Sequence, residues 1–121
     1  GEKIELKRVF NAMASHPMLV GGTENFDSLF IQALDGRGIT KVGGESVRGI
    51  SIRTKKYGPV GIAMKVLDGN FRVLPIATMK LLDHLEILEE EEQKKISHYS
   101  TKILKNHNNL DVGKIEAYID F

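Results

Sequence analysis

The period of the hydrophobic pattern changes from helical to strand-like near residue 39, and this change restricts the fold more than any other feature. Between residues 39 and 66 apolar side chains alternate with others in three short segments, as in strands with one buried face. These predicted strands are residues 39–43, 47–53 and 60–66. Residues 55–59 and the Asp68-Gly69 pair are typical of tight turns. The spacing therefore predicts an antiparallel sheet of three consecutive strands.

Helical periodicity precedes this sheet in two segments. The first segment is predicted to end near Ser15, because a proline at position 17 disfavours helix at the residue before it. Residues 16–22 are accordingly predicted to form a loop. Thr23 is a suitable N-cap for the second helix, which we expect to end at Asp35-Gly36.

A further helix is predicted after the sheet. Pro75 suits its first turn, and leucines continue its apolar face to Leu88. The acidic run at 89–92, followed by lysines, is interpreted as a solvated helical face. Residues 114–119 alternate weakly and are predicted to be a final strand. Helices and strands are segregated along the chain, so we predict an α+β fold with an antiparallel sheet flanked by helices.

Composition narrows the functional classes. The 121 residues fit one domain or a fragment of one. Seventeen basic and 16 acidic residues give a net charge of +1, which provides no footprint for nucleic acid. No apolar run approaches the ~20 residues that span a bilayer, so no membrane partner is predicted. The absence of cysteine excludes thiolate metal sites within these residues and is compatible with a cytoplasmic location.

The segment from Lys41 to Gly44 carries the clearest chemical signal. It places a lysine on a short strand and follows it with two glycines, which let a ligand approach the backbone closely. Such a lysine can orient a carboxylate or support a nucleophilic serine. The alternative is an edge-strand lysine that protects the sheet against aggregation. No Gly-x-Ser-x-Gly or Ser-x-x-Lys motif is present, so no activated nucleophile is predicted in this chain.

Three other residues have open interpretations. His16 lies beside a proline in a glycine-flanked segment, and it either contacts a ligand or makes only local hydrogen bonds. Asp27 falls one residue after a predicted core position and could face a cleft, although solvent is the default for a helical aspartate. Arg48 is placed nearer the edge of its strand than Ile50 and Ile52. The four histidines show no metal-ligand spacing.

Three blocks of sequence resemble the asparaginase II family of bacterial L-asparaginases. They are MASHPMLVGGTENFD at 13–27, TKVGGESV at 40–47 and GIAMKVLDGN at 61–70. The blocks occur in the family's order with compatible spacing, and the resemblance extends over roughly residues 5 to 88. Three ordered blocks are far more specific than any one of them.

The resemblance implies a fold related to serine β-lactamases, penicillin-binding proteins and glutaminases, of which this chain would be the C-terminal portion. It implies hydrolysis of the side-chain amide of L-asparagine to L-aspartate and ammonia. The family's nucleophile is a serine in a Ser-x-x-Lys motif of the N-terminal half, so a 121-residue fragment alone is expected to be inactive. Lys41 would be catalytic, and the residues that would contact substrate are His16, Gly43, Gly44 and Glu45.

Departures from the family pattern leave some properties open. Some members hold zinc with a cysteine at the position of Asp27, and the aspartate here leads us to predict neither a metal nor another cofactor. Ser46 replaces a glycine and Gly44 an alanine in the substrate-facing turn. The alternatives are therefore an amidohydrolase acting on glutamine or another amide, and a non-catalytic binding domain. Apolar surface left by a missing half predicts self-association.

Overall fold

Five helices and five strands make up the chain, and the computed structural model describes all 121 residues. The helices are α1 (Glu2–Ser15), α2 (Pro17–Gly21), α3 (Phe26–Leu34), α4 (Leu74–His84) and α5 (Glu90–Ile96). The strands are β1 (Gly38–Gly43), β2 (Val47–Thr54), β3 (Gly58–Lys65), β4 (Lys102–Lys105) and β5 (Asp111–Ile115). Short 3₁₀ turns cover Phe71–Val73 and Ser97–Tyr99.

The first three strands form one antiparallel sheet in the order β1-β2-β3. Ile50 at the centre of β2 lies opposite Thr40 of β1 and Ile62 of β3, which fixes the register. A separate two-stranded antiparallel sheet pairs β4 with β5. The predicted α+β class, the antiparallel pairing and the three strands are confirmed.

The core lies between one face of the three-stranded sheet and helices α3, α4 and α5. Ile50 and Ile52 point from β2 into this core because alternate residues of a strand share a face. The buried cluster contains the following side chains: Phe26, Phe30, Ala33, Leu34, Ile50, Ile52, Met79, Leu82, Ile87 and Ile96. The packing of α3 against β1 positions the start of α3 beside the sheet, and this is where the candidate site lies.

The segment between α1 and α3 differs from the prediction. Residues 16–22 were expected to be a loop, but α2 occupies Pro17–Gly21 with the proline at its first position, where a missing N–H costs nothing. Asn25, not Thr23, caps α3, and its side chain accepts a hydrogen bond from the backbone N–H of Asp27 at 3.1 Å. The predictions for residues 16–22 and for Thr23 were therefore wrong.

Two predictions for the C-terminal third also need correction. Glu92 belongs to the acidic run interpreted as solvated, yet it is buried and forms an ion pair with Arg37. The predicted strand 114–119 overlaps only the end of β5, which pairs with the unpredicted strand β4. Both outcomes depend on contacts between distant parts of the chain, which local periodicity does not contain.

The helix α1 ends at Ser15 as predicted, but it has no buried residue. Ile4, Leu6 and Val9 remain exposed along it. These exposed apolar side chains form a surface that another protein segment could cover. Self-association stays a prediction. None of the helices combines the length and apolar character that crossing a membrane would require.

Candidate functional site

The site is built around a buried carboxylate at the start of α3. The Asn25 cap fixes the first turn of this helix and turns Asp27 toward β1 and β2. Its side chain is fully buried, with Oδ1 2.5 Å from Nη1 of Arg48 and Oδ2 accepting the backbone N–H of Val42 at 2.9 Å. The default assignment of Asp27 to solvent was therefore wrong.

Arg48 is the buried partner of this carboxylate. Alternation along β2 gives it the same face as Ile50 and Ile52, so it is buried although it lies only one residue from the start of the strand. Its Nη1 lies 3.0 Å from Oγ1 of Thr40, and its guanidinium carbon lies 4.3 Å from the centre of the Phe26 ring. Burial lowers the pKa of Arg48, while the hydrogen bond and negative charge of Asp27 act in the opposite direction.

Lys41 lies on β1 beside this pair. Its Nζ is 3.5 Å from Oδ2 of Asp27 and 3.2 Å from the carbonyl oxygen of Val42, and its side chain is 55% exposed. An ion pair this exposed contributes little to stability. Two cations and one carboxylate leave the cluster with a net positive charge, which favours an anionic ligand at the exposed ammonium.

A shallow groove of about 560 Å³ runs over the sheet next to Lys41. The lysine borders it together with Met13, Ile39, Gly49 and Ala63. A larger groove, of about 610 Å³, lies between α4 and residues 116–118, and none of the predicted site residues lines it. The groove beside Lys41 is therefore the one that can bring a small ligand to a predicted site residue.

The glycines after Lys41 leave the end of β1 open. A Cβ atom added at Gly44 would meet nothing within 4 Å, and one at Gly43 would meet only Val47, at 3.7 Å. Next in the chain, Glu45 and Ser46 both hold positive φ, of 56° and 60°. Each such non-glycine residue costs about 1–2 kcal/mol, so surrounding contacts must maintain this turn.

Those contacts come from the end of β3 and the turn that follows it. Lys65 Nζ lies 2.5 Å from the carbonyl oxygen of Glu45 and 2.7 Å from that of Val66. The buried hydroxyl of Ser46 donates to the carbonyl oxygen of Asn70 at 3.1 Å, and the Ser46 carbonyl accepts the N–H of Val66 at 3.0 Å. The β1–β2 turn is thus held at both of its strained residues.

The structure brings some of the predicted site residues together and separates another. The end of β1 and the turn that follows it contain Lys41, Gly43, Gly44 and Glu45. His16 lies at the junction of α1 and α2, where its Nδ1 is 3.1 Å from the carbonyl oxygen of Ala12. No hydrogen bond or ion pair links His16 to the Lys41 cluster, which agrees with the local interpretation of this residue.

The sequence reasoning missed Arg48 as a member of this cluster. The signal was present, because the strand period places position 48 on the buried face, where an arginine needs an anionic partner. Asp27 supplies that partner from 21 residues away. The sequence reasoning also did not identify Lys65 as a residue that contacts the β1–β2 turn. The strand period places Lys65 on the outward-facing side of β3, opposite Val47, the first residue of β2.

The residues around Asp27 do not fit a metal ion. Both carboxylate oxygens are already engaged, by a guanidinium on one side and by a backbone N–H and an ammonium on the other. The histidine, aspartate and glutamate side chains nowhere form a group of three that could hold a cation. We therefore derive no step that passes through a metal.

Together the fold and this cluster define a class: an α+β domain with a lysine beside a groove over its sheet and a glycine-rich strand end next to that lysine. The family model for L-asparaginase II matches residues 1–117, which is nearly the whole chain. The chain belongs to the L-asparaginase II family. A comparison with curated proteins gave no match.

Proposed function

We propose that this chain supplies part of the active site of an amidohydrolase that converts L-asparagine to L-aspartate and ammonia. Membership in the L-asparaginase II family supports the amide-hydrolase class. The single observation that carries the proposal is the position of Lys41, whose half-exposed side chain lines a groove over the sheet, two residues before the open strand end at Gly43. A small zwitterionic amide fits a site that offers a cation and, four residues later, the carboxylate of Glu45.

Lys41 acts in this proposal on the α-carboxylate of the substrate. Its ammonium belongs to a cluster with one excess positive charge, and Asp27 and Arg48 keep the strand that bears it in place. The open backbone at Gly43 and Gly44 lets the substrate lie against the strand without a side-chain clash. Glu45 binds the α-ammonium group, so the two ends of the amino acid are recognised separately.

The reaction needs a nucleophile that this chain does not contain. A serine hydroxyl from a Ser-x-x-Lys segment elsewhere in the full-length polypeptide attacks the side-chain amide carbon. The carbon–nitrogen bond breaks, and ammonia leaves with the hydroxyl proton. Water then attacks the resulting ester, which releases L-aspartate and restores the serine. We propose that residues 1–121 are the C-terminal portion of this enzyme and are inactive alone.

The first prediction concerns product formation. The full-length gene product is expected to release aspartate and ammonia in equal amounts from L-asparagine, and the 121-residue chain alone is expected to release neither. Amino-acid analysis with an ammonia assay measures both products. L-Glutamine is the matched comparison, because it differs from asparagine by one methylene group.

The outcomes of this assay separate the candidates. Glutamate from glutamine without aspartate from asparagine would reject asparagine as substrate and favour a related amidohydrolase. Release of no product from either amide would reject both substrates and leave an amidohydrolase for another amide or a non-catalytic binding domain. Activity of the isolated 121-residue chain would show that the nucleophile lies within it.

A further inference from the structure

The ammonium group of Lys65 has an unusual pair of partners. It lies 2.5 Å from the carbonyl oxygen of Glu45 and 2.7 Å from the carbonyl oxygen of Val66, and it forms no ion pair with any carboxylate. The ammonium group of a lysine at the exposed end of a strand normally extends into the solvent. Here it joins two separate turns through main-chain oxygens.

Apart from those of Lys65, the hydrogen bonds that join these two turns beyond the β2–β3 pairing are made by Ser46. Its carbonyl accepts the Val66 N–H, and its hydroxyl donates to the carbonyl oxygen of Asn70. Glu45 itself has no side-chain hydrogen bond or ion pair, and its backbone holds a φ of 56° that an L-residue seldom adopts. Lys65 is therefore the group that fixes the carbonyl of Glu45.

Fixing the backbone on both sides of Glu45 fixes the direction of its Cα–Cβ bond. This conformation persists only while the surrounding contacts hold it, and backbone strain held in this way clusters at functional sites. Lys41 and Glu45 are separated by at most about 13 Å of extended chain, and both side chains are long. A restrained Glu45 can then face the same small ligand as Lys41.

We propose that Lys65 is a positioning residue that holds Glu45 as the specificity determinant for the α-ammonium group of the substrate. This inference rests on the proposed function, because it assigns a role within the same site. Lys65 does not touch the substrate. It acts through the Glu45 carbonyl and restricts the carboxylate to an orientation that selects free amino acids over amides lacking the amino group.

The test compares two substrates in the full-length enzyme. L-Asparagine has the α-ammonium group, and succinamic acid is the same amide without it. We expect Lys65→Met to lower kcat/KM for L-asparagine about tenfold, the effect of losing one hydrogen bond to a charged group, chiefly through KM. The rate with succinamic acid should change less than about twofold. Glu45→Gln should likewise lower kcat/KM for L-asparagine more than for succinamic acid. Lys65→Arg should retain part of the kcat/KM for L-asparagine that Lys65→Met loses.

Lys55→Met is the matched control, since Lys55 is a strongly exposed lysine that pairs only with Glu89. Equal losses for both substrates in Lys65→Met would show a merely structural role and would overturn the proposal. Unchanged kinetics with L-asparagine would overturn it as well.

Hydrogen exchange separates this inference from the proposed function. The Val66 amide donates to the Ser46 carbonyl and so connects the turn after β3 to the β1–β2 turn, the two turns that Lys65 joins. We expect this amide to exchange about tenfold faster in Lys65→Met than in Lys55→Met, whatever the substrate. Unchanged protection of the Val66 amide against exchange would overturn the proposal that Lys65 restrains the β1–β2 turn, even if the enzyme hydrolyses asparagine. Faster exchange of the Val66 amide in Lys65→Met, in a protein without asparaginase activity, would support the restraint by Lys65 and reject only the proposed function.

Discussion

Replacing Lys41 with methionine is expected to lower kcat/KM of the full-length enzyme for L-asparagine about 10²-fold or more. Methionine keeps the aliphatic stem of Lys41, a residue that lines the groove, and removes the ammonium that lies 3.5 Å from Asp27. The substrate carboxylate then enters a site without its cation. Steady-state kinetics of both enzymes, with Lys55→Met as the control for an exposed lysine, measure the effect.

The way in which the loss divides between KM and kcat distinguishes two roles of Lys41. A rise in KM with little change in kcat indicates binding of the substrate carboxylate. An equal fall in kcat and kcat/KM indicates that Lys41 acts only in the transition state, as a lysine supporting the nucleophilic serine would. Kinetics within a factor of about two of the control would contradict both roles.

Replacing Arg48 with methionine is expected to reduce the free energy of unfolding by about 3–5 kcal/mol. The substitution leaves the Asp27 carboxylate buried without its principal cation, and only the Val42 N–H and the half-exposed Lys41 remain near it. Urea denaturation followed by circular dichroism measures the change. Arg53→Met is the matched control, because Arg53 lies on the same strand and faces the opposite, exposed side.

A second variant tests whether the stability lost in Arg48→Met comes from breaking the Asp27–Arg48 ion pair or from removing the arginine side chain itself. In the double variant Asp27→Leu with Arg48→Met, no buried charge is left uncompensated, and we expect most of the lost stability to return. The account of the pair would be contradicted if Arg48→Met cost no more than Arg53→Met. It would also be contradicted if the double variant were as unstable as the sum of its two single substitutions.

The parts of this structure that sequence predicts are those that short patterns determine. Alternation and tight-turn signals locate β1, β2 and β3 because strand period and turn chemistry are local properties. The five-residue helix α2 is too short for periodicity to reveal, and proline and glycine in it indicate a loop equally well. The strand β4 has four residues and no apolar alternation, so its pairing with β5 was not predicted.

The site required information that the local sequence does not contain. The Lys41-to-Gly44 signal is local and pointed to the open strand end. The pairing of Asp27 with Arg48 connects a helix start to a strand 21 residues later, and Glu92 reaches Arg37 across 55 residues. The buried position of Arg48 was readable from the strand period, whereas the identity of its partner and the burial of Glu92 depended on how helix and sheet pack.

A structure of the full-length protein with L-aspartate, the product of the proposed reaction, tests the role of Lys41 most directly. We expect L-aspartate to lie in the groove beside β1, with one carboxylate within about 3 Å of Lys41 Nζ, a hydrogen-bond distance. We also expect a serine hydroxyl from outside residues 1–121 next to the other carboxylate. Product bound elsewhere, with the Lys41 ammonium contacting only solvent, would contradict the account.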